Sequence, residues 1–190
     1  VISRLGWIRR QQKEFDRQVR QSQREMVTGE SHYLQGRRYI LDVVEHDGPA
    51  SVYIVNSKTM ELRIRPGTHR DDREATLLRW YRRRLREQIP PLLSKWEPKV
   101  GIKVAEVRIK KMKTRWGTCN NEARRIWLNL ELIKKPSPCL EYILVHEMVH
   151  FLERSHSERF VDLMNQMMPQ WQIHREELNR APLAYDEWKY

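Results

Sequence analysis

Two histidines four residues apart, with a glutamate directly after the first, are the part of this chain best suited to chemistry. The run is His146-Glu147-Met148-Val149-His150. On a helix, residues four apart share a face, so both imidazoles can reach one metal ion. Glu147 follows the first of them, where its carboxylate can hold a metal-activated water and take its proton. With seven His and eighteen Glu in 190 residues, the bare pattern arises by chance about one time in forty. The surroundings add weight. Leu140, Tyr142, Ile143, Leu144 and Val145, with Met148, Val149, Phe151 and Leu152, make a helix apolar enough to be buried, and buried His and Glu need partners. The alternative is a pair of core histidines that happen to be four apart.

A catalytic zinc site takes three protein ligands and keeps one position for water. His156 is the leading third ligand. It follows the point where the helical apolar pattern stops, and Ser157 can cap a new helix with Phe160, Leu163, Met164 and Met167 on its buried side. His156 would then stand at a corner between two helices. Glu153, Glu158 and Asp162 are the rival carboxylates. A His-rich site with a neighbouring carboxylate favours Zn2+ over magnesium or calcium. Metzincin proteases share the H-x3-H-x5-H spacing but place Gly three residues after the second His; here Glu153 stands there. The zinc endoribonucleases that mature ribosomal RNA ends have similar spacing but lack the Glu after the first His.

Several further blocks occur in order. They are Lys113-Thr114-Arg115-Trp116-Gly117-Thr118-Cys119, Ile126-Trp127-Leu128-Asn129, the 146–150 run, and His156-Ser157-Glu158-Arg159-Phe160. Together they resemble the YgjP-like metallopeptidase family, which is distantly similar to the SprT-like proteases. The resemblance runs from Trp7 to Leu183. It implies that His146, His150 and His156 hold the metal and that Glu147 is the general base. The family block reads Arg-Trp-Gly-Ser-Cys; Thr118 replaces the Ser and keeps a hydroxyl. The resemblance also directs attention to Arg115 and Trp116 at the mouth of the site, and the strand before the active-site helix is expected to place Trp127 and Asn129 where they shape the cleft. Ordinary packing is the alternative for each of these four.

The elements that must position these residues follow from periodicity. Gly6 to Arg24 reads as a polar helix and Thr28-Gly29-Glu30 as a turn. Strands are expected over Arg38 to Glu45, Ser51 to Asn56 and Met60 to Arg65, joined as an antiparallel meander. A long helix should start at Asp71 or Asp72 and run to about Gln88, with Pro90-Pro91 breaking or restarting it toward Trp96. Lys103 to Met112 and Arg125 to Leu130 are further strands, with a loop over Gly117 to Ala123. Helices follow at Leu140 to Glu153, Ser157 to Met168 and Gln170 to Asn179. The fold class is therefore α+β and zincin-like: an N-terminal antiparallel β meander plus long helix, then strands, the H-E-x-x-H helix and C-terminal helices. One domain over 1–190 is expected, with 1–100 a β/helical subregion and 101–190 the metal-binding core. The strand 126–130, just before the active-site helix, is expected at the rim of the cleft, where an extended peptide can pair with it.

Composition sets the remaining bounds. Hydrophobic content is 39% with seven Trp, enough for a core of ordinary size. Cys119 and Cys139 make no disulfide framework, and reduced thiols in a cytoplasmic protein are the expectation. No apolar run reaches the length of a signal sequence or membrane span. The chain begins at Val1 rather than Met, which leaves leading residues open. The net charge is +11. Residues 51–145 hold 22 Lys/Arg against 10 Asp/Glu, whereas 146–190 hold 5 against 8. Two dense basic stretches, Arg79 to Arg86 and Lys110 to Arg115, interleave or abut aromatics, a pattern that suits a nucleic-acid backbone. For the first, a solvated helix face is preferred; the second is evenly balanced.

These readings converge on a zinc-dependent hydrolase acting on a protein or peptide. Arg115, Tyr142 and His174 are unranked partners for the oxyanion. The alternatives are a zinc nuclease and a nucleic-acid-binding module with a structural zinc.

Overall fold

The computed structural model describes residues 24–180, and the helix expected over Gly6 to Arg24 lies outside the described residues, save its last residue. The chain starts with four strands, β1 Ser31–Leu34, β2 Arg37–Glu45, β3 Ser51–Ile54 and β4 Thr59–Ile64. They form one sheet in the order β1-β2-β4-β3. This is not the expected antiparallel meander. β4 lies between β2 and β3, parallel to β2 and antiparallel to β3. The reason is burial. Met60, Leu62 and Ile64 of β4 are fully inaccessible, whereas β3 buries only Val52. The strand with the most apolar side chains takes the centre, and its register puts Leu41 of β2 beside Met60. Alternation fixes which face points inward but not which neighbour a strand takes. The β3–β4 hairpin closes on Asn56, whose Oδ1 accepts from the N–H groups of Lys58 and Thr59 at 2.8 and 2.9 Å.

Helix α1 spans Arg70–Val100, a full turn beyond Pro90-Pro91 and more. Asp71 and Asp72 sit in its first turn, where they complement the helix dipole. Its buried stripe is Leu77, Trp80, Tyr81, Leu85, Ile89, Trp96 and Val100. The prolines do not stop it, contrary to expectation. Pro90, Pro91 and Pro98 are all exposed, and so are Arg86, Glu87 and Ser94, whose carbonyls the rings leave unbonded. That side of the helix faces solvent, where water can take the place of the missing donors, while the stripe opposite holds the helix to the core. It ends where Gly101 turns left-handed at φ 72 and donates to Glu97 O at 2.9 Å.

The second sheet has three strands, β5 Glu106–Lys110, β6 Gly117–Asn120 and β7 Arg125–Asn129, in the order β5-β7-β6. β6 falls where a loop was expected. β7 is therefore central and paired on both sides, parallel to β5 and antiparallel to β6. A short 3-10 helix, Leu130–Lys134, leads into α2 Ser137–Val149, followed by α3 Glu158–Met167 and α4 Trp171–Arg180. α2 is apolar on nearly every side because sheet and helices surround it; Cys139, Leu144, Val145, Met148 and Val149 are fully inaccessible. One connected set of buried side chains runs from Met26 through both sheets to Leu178.

Candidate metal centre

α2 delivers His146 and Glu147 from its last turn, and His150 follows as its C-cap, still in helical conformation. Beyond it the chain turns back. Phe151, Leu152 and Glu153 donate to carbonyls of the final helical turn. Glu153 then accepts from the N–H and Oγ of Ser155, which directs its carboxylate into the turn rather than toward the histidines. Ser157 caps α3, with Oγ accepting from Phe160 N. This corner places His156 opposite the helix.

The three imidazoles meet with their Nε2 atoms at the corners of a triangle. His146–His150, His150–His156 and His156–His146 are each 3.1 Å apart. Beneath them lies the inaccessible ring of Phe160, with centroids 5.0, 4.6 and 4.8 Å from His146, His150 and His156. His150 Nδ1 lies 3.0 Å from Glu153 O. A carbonyl can only accept, so Nδ1 carries the proton and Nε2 presents a bare lone pair. Fixing the tautomer through a backbone carbonyl is how metal-binding histidines are commonly oriented. Burial, reinforced by His150 and His156, pushes His146 down to about 3; burial also lowers His150. Those two imidazoles are neutral at neutral pH, as metal ligation requires. His146 Nδ1 is buried without a hydrogen-bond partner among the described residues.

A metal fits this triangle. A tetrahedral centre with Zn–N bonds of about 2.0–2.1 Å sets its nitrogens roughly 3.3 Å apart. Among the described residues, one group of three or more His, Cys, Asp or Glu donors converges in this way, and it is His146, His150 and His156. The bare lone pair of His150 Nε2 faces both other Nε2 atoms at 3.1 Å, an arrangement that suits a shared cation.

Glu147 opens into the same space. It is 6% exposed, and burial raises its carboxyl to about 7, against the lowering effects of the Cys119 thiol and the Arg115 charge. A cation in the triangle would draw it down again. Gly117 of β6 lies against this carboxylate. A Cβ at Gly117 would stand 2.7 Å from Glu147 Oε1 and 2.8 Å from Ile143 Cγ2. Glycine is required there by contact, not by backbone angle. Asn121, in the β6–β7 turn, donates from Nδ2 to His150 O at 3.0 Å, which ties the turn to the end of α2.

These groups line an open cleft of about 700 Å³. Its walls are Arg115, residues 117–122, His146, Glu147, His150, Arg154 and His156. Of the four residues expected in the cleft, Arg115 lines it and three do not. Trp116 is half-buried with Lys135 over its ring at 5.5 Å. Trp127 sits across from Arg108 on the other face of the sheet. Asn129 is fully inaccessible; its Nδ2 donates to Met112 O and Arg115 O, each at 2.8 Å, so it latches the loop that carries Arg115. The rim strand is also corrected. β7 cannot accept a peptide edge because both of its edges are taken; β5 and β6 are the edge strands among the described residues, and β6 is the one that lines the cleft. Tyr142 and His174 lie outside the cleft lining. Gly117 and Phe160 were present in the sequence blocks, but nothing in their spacing announced the contacts they make.

A buried helix with two histidines, a third histidine from the following corner, and a carboxylate facing an open cleft define the site of a metal-dependent hydrolase. The chain matches the family described as YgjP-like, metallopeptidase domain, over residues 1–181, and belongs to that family. No curated protein matches it. Among solved structures it is similar to the metallopeptidase zymogen abylysin of Pyrococcus abyssi, with 22% identity over 47% of this chain and 88% of that one, at a TM-score of 0.41. No helix among the described residues is long and apolar enough to cross a membrane.

Proposed function

We propose that this chain is a zinc-dependent peptidase, and the convergence of three Nε2 atoms beside a buried carboxylate in one cleft carries the reading. His146, His150 and His156 would hold Zn2+. A bound zinc supplies Lewis acidity, making water a nucleophile near neutral pH and polarising the substrate carbonyl. Glu147 accepts the proton of the attacking water and returns it to the leaving amine. Gly117 keeps the carboxylate in place by filling the space behind it with backbone alone. Arg115 contributes positive charge at the same carboxylate.

The free edge of β6 supplies the substrate track. Asn129 N donates to Trp116 O at 2.9 Å. Antiparallel alternation then directs Thr118 and Asn120 toward β7 and leaves the backbone groups of Gly117 and Cys119 facing the cleft. An extended peptide adds there as a further strand, which fixes its scissile bond by main-chain hydrogen bonds and favours a polypeptide over a small molecule. The test is metal analysis and cleavage of a quenched fluorescent peptide library by the wild type and Glu147→Gln. Bound zinc in both proteins, with cleavage in the wild type alone, supports the reading. Equal cleavage by the two proteins overturns it.

A further inference from the structure

The face of the second sheet that carries Trp127 takes no part in holding the metal, though its β6 edge borders the cleft. Strand alternation divides the sheet cleanly. Ile126, Leu128, Gly117 and Cys119 face inward, and Gly117 touches Ile143 and Glu147 of α2. Arg108, Trp127 and Thr118 share one row of the outer face; Glu106, Arg125 and Asn120 share the next. Trp127 is half-buried, yet it is not among the side chains that pack against the core. Arg108 lies over its ring at 5.3 Å.

Charge surrounds this tryptophan. Residues 103–135 carry ten Lys/Arg against three Asp/Glu. Glu106 bridges Arg108 and Arg125 at 2.6 and 2.5 Å, and these are exposed pairs that phosphate can compete for. Lys110 is exposed and makes no ion pair among the described residues. The Asn129 latch holds the basic loop 112–115 against the same end of the sheet. The other basic stretch differs. On α1, Arg83 and Arg84 share Glu87 one turn on, and the tryptophan of that stretch, Trp80, is 7% exposed and packed in the core, so it offers no ring to a base.

We propose that the outer face of the β5-β7-β6 sheet binds single-stranded nucleic acid. A base stacks on Trp127 and the phosphates lie along Arg108, Lys110 and the 112–115 loop. Charge complementarity selects a polyanion, and the aromatic ring selects one with flat bases exposed. An acidic polypeptide satisfies the charge but not the ring. Arg115 ends the basic loop and lines the metal cleft, so a strand bound on this face leads toward the site. The inference does not depend on hydrolysis: Trp127, Arg108 and Lys110 line no part of the metal cleft, although Thr118 and Asn120 at the β6 edge of this face do.

The experiment is fluorescence anisotropy with a labelled oligo(dT) and a labelled oligo(U), using the full chain and the Trp127→Ala, Lys110→Glu and Arg83→Glu variants. Trp127→Ala should weaken binding at least about five-fold, the low end for loss of one stacked base. Raising salt from about 50 to about 200 mM should weaken wild-type binding roughly 20-fold, as about three released phosphate contacts require. Lys110→Glu should flatten that salt dependence, and Arg83→Glu should change little. Glu147→Gln should bind as the wild type does, which separates this proposal from the peptidase reading. Trp127→Phe guards against a folding defect, since it should keep most of the affinity. The proposal is overturned by no binding at low salt, by binding indifferent to Trp127→Ala, by loss confined to Arg83→Glu, by stronger binding to duplex than to single strand, or by equal competition from polyglutamate.

Discussion

Gly117→Ala is the most informative single change, because one methyl group tests how Glu147, the proposed general base, is held. The added Cβ would meet Glu147 Oε1 at 2.7 Å and Ile143 Cγ2 at 2.8 Å, where ordinary contact begins near 3.4 Å. Something must yield by about 0.7 Å, and it cannot be Ile143, which is 6% exposed in the core. Either the carboxylate swings away or β6 lifts from α2. Overpacking of this kind costs about 1–3 kcal/mol, so the melting temperature should fall by roughly 2–10 °C in a chain of this size. The catalytic loss should be larger. Displacing a reacting group by about 1 Å can cost on the order of 100-fold in rate. No histidine supplies the atoms nearest that Cβ, so metal content should be unchanged. The assay is kcat on a cleaved peptide beside metal analysis and a thermal melt. Wild-type kcat in Gly117→Ala, with a folded protein, would refute the claim that this glycine positions the base. Loss of zinc would show that the strand and the metal triangle are coupled more tightly than their contacts indicate.

Glu147→Gln should keep its zinc and lose about 100- to 10,000-fold in cleavage, the range for removing a general base; metal analysis and turnover decide it. His156→Ala should lose bound zinc and with it the rise in melting temperature on zinc addition, whereas zinc retained at wild-type affinity would assign the third position to another residue. Asn129→Ala removes the latch on the Arg115 loop and takes the donor from two part-buried carbonyls, at a cost of about 1 kcal/mol, with weaker cleavage but full metal content. His32 gives a pH test on metal-free protein. It is 2% exposed, and burial, aided by Arg24 and Lys134, lowers it from 6.5 to about 3. The folded value lies below the unfolded one, so the unfolded chain takes the proton first and stability falls as pH drops from 6.5 toward 3. The slope is about 1 kcal/mol per pH unit for this group, and urea midpoints of His32→Gln should show a shallower acid dependence.

The parts of the site legible in the sequence are those set by one helix. His146, Glu147 and His150 need only the 3.6-residue turn to share a face, and the capping Ser157 forecasts the corner that carries His156. What the sequence hid depends on contacts between distant segments. Gly117 and Phe160 look like an ordinary glycine and an ordinary core aromatic until β6 and α3 are brought against α2. Trp127 and Asn129 were expected in the cleft because β7 was expected at the edge. β6 is four residues of modest strand propensity, Gly-Thr-Cys-Asn, and its pairing comes from β7 rather than from its own sequence. The same limit explains the first sheet, where alternation identified the strands but not that β4 would sit between β2 and β3. Pro90 and Pro91 misled because their effect depends on which side of the helix they occupy.

The shared floor under the three imidazoles has a thermodynamic consequence. Phe160 touches all three rings, and the turn between α2 and α3 is closed by its own hydrogen bonds, so the ligand geometry is established when the polypeptide folds. Ordering these side chains is not charged to metal uptake. Removal of the ion by a chelator should therefore leave an intact native protein that reloads at once, unlike a zinc finger, whose architecture disappears with its ion.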